Sequence, residues 1–185
     1  MDPAKALPPR FGARHITWGA VARILIVGGG CSGRQLTSEL IEAGHAVRAT
    51  TRSEAQRATI EDGGAECWIG TPDRLATLRG ALENVTIACW LLAGATGSQA
   101  QVHALHTARL EFFLGQAIDT TVRGFVYEAS GTVVAPEILA EGERIVHTLG
   151  ERNVIPVAIL RAGRADPGAW QQAATDAIDS LLAGA

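Results

Sequence analysis

The sequence contains very few lysine, tyrosine and cysteine residues. Lysine occurs only at Lys5, tyrosine only at Tyr127, and the three cysteines are Cys31, Cys67 and Cys89. A small, odd number of cysteines argues against a disulfide framework and indicates a reducing cytoplasm. We interpret Cys67 and Cys89, which lie in predicted strands, as small buried apolar residues.

Other absences narrow the class of protein further. No apolar run reaches membrane-spanning length, and the N-terminus lacks the apolar core of a signal peptide. The net charge of −3 gives no basic footprint for nucleic acid or for an anionic membrane. We therefore expect a cytoplasmic protein that binds neither nucleic acid nor a membrane.

Length and composition fit one globular domain. The 185 residues are 47% hydrophobic and 19% charged, which is ordinary for a chain with a sizeable core. Residues 1–20 contain Pro3, Pro8 and Pro9 and have no sustained periodicity. The sequence therefore predicts a flexible N-terminal extension over residues 1–20 and a single domain over residues 21–185.

A glycine turn between a strand and a helix is the most informative feature. Branched apolar residues at 24–27 are followed by Gly28-Gly29-Gly30-Cys31-Ser32-Gly33, a helical segment to Ala43 and a second apolar run from Ala46. In this pattern Gly28 permits the turn, Gly30 lets the backbone approach a pyrophosphate, and Gly33 lets the helix pack on the sheet. The first helical N–H groups then hold the phosphate charge. A glycine-rich hairpin, the alternative, does not explain the amphipathic helix that follows.

The remaining chain alternates strands and helices. Further strands are predicted at 65–69, 85–92, 124–129 and 153–160, and helices at 74–82, 100–118, 136–150 and 169–182, with Ser53 as the N-cap of another helix ending near Glu61. Such alternation indicates a parallel sheet with helices on both faces. The predicted fold is α/β: a three-layer, doubly wound Rossmann fold with a six-stranded parallel sheet of order 3-2-1-4-5-6.

Five segments carry a resemblance to a known family. ILIVGGGCSGRQL, GHAVRATTR, ACWLLAG, GFVYEAS and VAILRAG occur in the order seen in the extended and atypical short-chain dehydrogenase/reductases. That family includes epimerases, reductases and NmrA-like redox-sensing regulators, and the resemblance covers residues 21 to about 164. It implies that the glycine turn cradles a dinucleotide pyrophosphate, and it implies cofactor contacts elsewhere. The implied residues are Gly28, Gly30, Cys31, Ser32 and Gly33 at the pyrophosphate, Ala93 and Gly94 along the cofactor, Ser130 near the nicotinamide, and Thr71 beside the adenine, where many relatives carry an acidic residue.

Cofactor choice depends on the end of the second strand. An acidic residue there binds the ribose 2′-OH of NAD, whereas a nearby arginine accepts the 2′-phosphate of NADP. This chain has Thr51 at the acid position, Arg52 next to it, and Arg34 in the first helix. These residues favour NADP, with NAD possible as the second choice. The alternative is that Arg52 is a solvated surface residue.

The family's catalytic pair is absent. The resemblance implies a Tyr-x-x-x-Lys pair that exchanges a proton with the substrate, but the alignment puts Ala135 and Leu139 at those positions. Tyr127 lies inside the predicted fifth strand, which favours a core role. His103 and His106, three residues apart on a predicted helix, have no third metal ligand at a convincing spacing, and we expect them on a solvated face.

Three functional classes remain open on the sequence. The chain is an oxidoreductase or epimerase-like enzyme with a substituted acid and an unidentified small-molecule substrate, a non-catalytic dinucleotide sensor or regulator, or a Rossmann-shaped interaction module with an empty site. The glycines count against the third class, and the missing tyrosine and lysine count against the first. The resemblance also implies a homodimer formed through the long helices after the fourth and fifth strands.

Overall fold

The computed structural model describes residues 22–184, and the predicted extension over residues 1–20 lies outside them. Six parallel strands form one sheet in the order β3-β2-β1-β4-β5-β6. The strands are β1 Arg23–Gly28, β2 Ala46–Thr51, β3 Glu66–Ile69, β4 Ile87–Leu91, β5 Gly124–Glu128 and β6 Val157–Leu160. The predicted fold class and strand order are confirmed.

Helices cover both faces of the sheet. They are α1 Gly30–Glu42, α2 Arg57–Asp62, α3 Gln99–His106, α4 Ala108–Ile118, α5 Pro136–Asn153 and α6 Pro167–Ala183. In β1, Ile24 and Ile26 pack in the cluster with α1 and α6, whereas Leu25 and Val27 pack in the cluster with α4 and α5. Burial on both faces explains why the strands are continuous apolar runs. None of the helices described within residues 22–184 is long and apolar enough to cross a membrane.

The prediction of a single helix at 100–118 is wrong in one respect, because two helices, α3 and α4, form there. Thr107 between them has φ −125° and ψ −105°, outside the helical region. Its hydroxyl donates to His103 O at 2.8 Å, a local bond that competes with the helical ladder. The start of α3 has a reciprocal capping box formed by Ser98 and Gln101. Residues 99–118 therefore form two helices, and α3 packs against both α4 and α5.

The helix predicted at 74–82 is also wrong. The segment forms two short 3₁₀ turns, Leu75–Leu78 and Gly80–Leu82. Gly80 lies flat against Trp68, since a Cβ on Gly80 would be 2.9 Å from the indole ring. The Trp68 indole also donates from Nε1 to Thr77 O at 2.7 Å, and the spacing of the leucines does not reveal either contact.

Three element boundaries differ from the prediction. The helix expected after Ser53 is a 3₁₀ turn, Glu54–Gln56, followed by α2, and Ser53 makes no side-chain capping bond. Helix α5 continues past Gly150 to Asn153 and ends at Val154, which has a left-handed φ of 55°. As a result β6 begins at Val157 rather than at residue 153.

Candidate functional site

The glycine turn is built by close contacts with β4. Gly28 has φ 87°, and a Cβ there would lie 2.4 Å from Leu92 Cδ2 and 2.6 Å from Leu91 O. Gly29 N donates to Leu91 O at 2.7 Å. At Gly33 a Cβ would lie 3.0 Å from Gly28 O. Both Gly28 and Gly33 are therefore required by packing, as the sequence predicted.

Gly30 differs, because it faces open space. A Cβ at Gly30 would meet only Arg164 Nη1, at 4.0 Å. The backbone here is thus accessible to a ligand, next to the start of α1, where N–H groups have no intrahelical partner. No acidic residue lies in the first turn of α1. The turn is a suitable cradle for a phosphate.

A cavity of about 410 Å³ opens beside this turn, at the carboxyl ends of β1 to β4. It brings together most of the residues predicted for the site: Gly28, Gly30, Gly33, Arg34, Thr51, Arg52, Thr71 and Gly94 all line it. The other predicted residues do not: Cys31 is exposed, Ser32 and Ser130 are half-buried outside the lining, and Ala93 is fully buried.

Two arginines give the cavity a positive wall. Arg34 and Arg52 are both exposed and both line it. Thr51, at the position where an acid would repel a 2′-phosphate, instead accepts a bond from Ser53 N at 3.2 Å through its hydroxyl. Guanidinium groups bind phosphates through paired N–H donors. The two exposed guanidinium groups therefore suit an anionic ligand in this cavity.

An acidic residue does line the cavity, at a position that sequence reasoning missed. Thr71, which the resemblance puts beside the adenine, is held by its N–H donating to Thr77 Oγ1 at 2.9 Å. Asp73 follows in the same turn, lines the cavity and pairs with Arg109 Nη1 at 2.5 Å. Asp73 belongs to the turn Gly70-Thr71-Pro72-Asp73, but the resemblance aligns Thr71, and not Asp73, with the acidic residue of the relatives.

A buried ion pair underlies the site, and the sequence did not reveal it. Glu128, at the end of β5, is 0% exposed, and its carboxylate accepts from Arg164 Nε at 2.6 Å and Nη2 at 2.7 Å. Ala93 N and Trp170 Nε1 each donate to the same carboxylate at 2.9 Å. Four donors thus satisfy Glu128, and the guanidinium also lies 5.3 Å from the Trp170 ring centroid.

Arg164 extends from this pair to the glycine turn. Its Nη1 donates to Gly29 O at 2.9 Å and its Nη2 to Leu91 O at 3.2 Å. One side chain therefore joins the loop after β6 to the ends of β1, β4 and β5. A carboxylate in an otherwise apolar strand was the available signal, since a buried acid requires a partner.

Tyr127 is a core residue, as predicted. It is 0% exposed, and burial raises the pKa of its hydroxyl. His106, expected on a solvated face, is instead fully buried, with its Nδ1 2.8 Å from the Tyr127 hydroxyl. Burial lowers the pKa of His106 to about 4, so the ring is neutral near pH 7. Its Nε2 lies 3.3 Å from Leu92 O, and donation there leaves Nδ1 to accept from Tyr127.

The other histidine lies apart from this pair. His103 is exposed, and its Nε2 is 3.2 Å from Glu141 Oε2. Within residues 22–184, no three histidine, cysteine, aspartate or glutamate residues are grouped to hold a metal. Ala135 and Leu139, which the resemblance aligns with the family's tyrosine and lysine, are respectively exposed at the start of α5 and buried. Neither side chain can transfer a proton.

No family model matches the sequence, and no curated protein sequence matches it. Solved structures do match. Triphenylmethane reductase from Citrobacter sp., complexed with NADP(H), has a TM-score of 0.59 and 18% identity, over 75% of this chain and 48% of the reductase.

Two further solved structures are similar to this chain at nearly the same TM-score. UDP-glucuronic acid 4-epimerase from Bacillus cereus, in complex with NAD, has a TM-score of 0.62 and 13% identity, over 76% of this chain and 55% of the epimerase. A short-chain dehydrogenase/reductase superfamily protein from Agrobacterium tumefaciens, with bound NAD, has a TM-score of 0.60 and 18% identity, over 88% of this chain and 62% of that protein.

At these identities the comparisons report on fold, and this chain spans only about half of the length of the reductase and the epimerase. The strand order, the glycine turn after β1 and the similarity to NAD(P)-complexed proteins agree with one another. The chain has a Rossmann fold, which it shares with these three structures.

Proposed function

We propose that the cavity beside the glycine turn binds a nicotinamide dinucleotide, NADP in preference to NAD, and that the chain acts as a dinucleotide sensor or regulatory protein. The observation that carries the proposal is the open backbone at Gly30 in the same cavity as the exposed Arg34 and Arg52. Glycine in the cradle admits the pyrophosphate, and the arginines suit the 2′-phosphate.

The chain's own residues support binding more than turnover. A bound dinucleotide supplies a hydride donor or acceptor, but the family's reaction also needs a side chain that exchanges a proton. Ala135 and Leu139 cannot do so, and the Tyr127 hydroxyl is enclosed in the core with a raised pKa. Binding without the usual catalysis is therefore the function that the site supports best.

An oxidoreductase with a substituted acid is the second candidate. The fold is shared with a reductase and an epimerase, which favours this class by analogy alone. A small-molecule substrate would have to be enclosed by residues beyond those that line the cavity. The homodimer implied by the resemblance also stays a prediction.

The first test compares the two dinucleotides by calorimetry on protein stripped of nucleotide. We expect NADP to bind more tightly than NAD. Arg52→Glu should weaken NADP binding by about 10-fold to 100-fold, because a hydrogen bond between charged groups contributes roughly 1.5–3 kcal/mol. NAD binding should change by less than about threefold, because its ribose carries no phosphate at this position.

Arg144→Glu is the matched control for this experiment. Arg144 is exposed on α5, does not line the cavity, and undergoes the same change of charge. An equal loss of NADP and NAD affinity in Arg52→Glu would remove Arg52 from the phosphate site. Failure of both dinucleotides to bind at millimolar concentration would contradict the proposed function.

A further inference from the structure

The cavity lies mostly on one side of the carboxyl edge of the sheet. Most of its lining residues come from the ends of β1, β2 and β3 and the segments that follow them, and the rest come from the segment after β4: Leu92, Gly94, Ala95, Thr96 and Leu105. Within residues 22–184, the loops after β5 and β6 contribute none of them. A dinucleotide in this fold lies across the point between β1 and β4 where the strand order reverses, with its two nucleotide halves on opposite sides. The cavity therefore corresponds mainly to the adenosine half.

On the other half, backbone segments are packed together. A Cβ at Gly131 would lie 2.6 Å from Ala93 O, so the loop after β5 is pressed against the loop after β4. A Cβ at Gly163 would lie 3.7 Å from Ser130 Oγ, so the loop after β6 contacts the loop after β5. These contacts lie on the side on which the resemblance puts the nicotinamide, and the described residues form no part of the cavity there.

Arg164 closes the boundary between the two halves. Its guanidinium bridges Gly29 O and Leu91 O, and a Cβ on Gly94 would be 3.4 Å from Nη1. The other side of the guanidinium is held by the fully buried Glu128. Moving Arg164 aside would leave a buried carboxylate without its cationic partner, which is strongly unfavourable. The barrier is thus a fixed part of the fold.

From these contacts we infer that the protein binds NADP through its 2′-phosphoadenosine diphosphate portion alone, and that the nicotinamide ring stays in solvent. The ligand class is then 2′-phosphorylated adenosine diphosphates, with or without a nicotinamide. This inference rests on the proposed function and adds which part of the dinucleotide is recognised. It also gives a physical reason for binding without hydride transfer, because the ring is not held against any side chain.

The test compares NADP with 2′-phospho-ADP-ribose, which lacks only the nicotinamide, by calorimetry on the wild-type chain. We expect the two dissociation constants to agree within about fivefold. A larger advantage for NADP would overturn the inference and leave the proposed function standing. If neither ligand binds, the proposed function itself fails. The two failures are therefore distinguishable.

Fluorescence of NADPH gives a second readout. A ring in solvent should keep the emission maximum of the free dinucleotide when calorimetry shows that NADPH is bound. A blue shift of that maximum would overturn the inference, since it requires a ring removed from water.

Gly163→Leu provides a variant that blocks the nicotinamide side only. Gly163 is exposed, and its Cβ position has ordinary contact distance to Ser130 Oγ. We expect NADP affinity to change by less than about threefold in Gly163→Leu. Arg52→Glu, on the adenosine side, is the positive control and should lose affinity. A loss of more than about threefold in Gly163→Leu would mean that the ring does bind beside Ser130.

Discussion

Replacing Arg164 by alanine should be among the most destabilising single changes in the chain. The substitution removes the donors at 2.6 and 2.7 Å from Glu128, which is 0% exposed and keeps only Ala93 N and Trp170 Nε1. Removing one partner of a buried ion pair costs about 3–5 kcal/mol, because the remaining charge has no solvent. That is a large part of the roughly 5–15 kcal/mol that a domain of this size has.

Urea unfolding followed by circular dichroism measures this loss. With a slope of about 2 kcal/mol per molar urea, the midpoint of Arg164→Ala should fall by roughly 1.5–2.5 M. Arg161→Ala, three residues before Arg164, is the matched control: it removes an ion pair with Glu143, but the Arg161 side chain is 65% exposed. An exposed pair contributes about 0–1 kcal/mol. Equal losses in the two variants would refute the structural role assigned to Glu128 and Arg164.

Two further predictions concern the cradle and the buried histidine. Gly30→Asp should abolish dinucleotide binding in calorimetry, because the new carboxylate repels the pyrophosphate. Its circular dichroism should stay native, because aspartate can adopt the φ of 55° found at Gly30. Gly30→Asn is equal in size and uncharged and should retain more affinity, and equal losses in the two variants would show that charge repulsion is not the cause. The pKa of His106 is about 4 in the folded protein, below the ordinary histidine value of 6.5. The unfolded chain therefore binds the proton more readily, and the free energy of unfolding falls as the pH drops below 6.5. In urea unfolding, the wild-type chain should therefore lose about 2 kcal/mol more than His106→Gln between pH 7 and pH 5, and parallel curves would contradict the buried neutral ring.

The strands and the glycine turn could be predicted because their signals are local. Apolar runs such as residues 24–27 and 124–127 indicate buried strands by composition alone, and the spacing of Gly28 and Gly33 has a steric cause that the contacts of those glycines bear out. The strand order follows from the number of alternating units and the handedness of their crossovers.

Helix continuity and side-chain burial were harder to predict because they depend on neighbours. Apolar periodicity runs through Thr107 without interruption, and only the bond from its hydroxyl to His103 O marks the break. The spacing of His103 and His106 suggests a shared face, yet one ring pairs with Glu141 and the other is enclosed beside Tyr127. Periodicity alone does not say which neighbour covers a helix face.

The predictions for the candidate site also divide into those with a local sequence signal and those that depend on tertiary structure. The motifs at the glycine turn and the end of β2 fix the local backbone, and most of the residues predicted from them line the cavity, whereas Cys31 and Ser32 do not. Ser130 was named from its position after β5, but the packing of Gly131 on Ala93 decides what it can reach. The pairing of Glu128 with Arg164 joins residues 36 apart, and a partner at that separation is chosen by tertiary structure.

The bond from Arg164 to Gly29 O also has a consequence for how the protein is made. These two residues are 135 positions apart, so the turn near the beginning of the chain gains its last restraint only when almost the whole domain has left the ribosome. Contacts of such long separation form late, because the intervening loop must first be closed. Nascent chains that stop before β6 should have strands at this edge of the sheet but a weaker affinity for nucleotide, which makes ligand capture a marker of a completed domain.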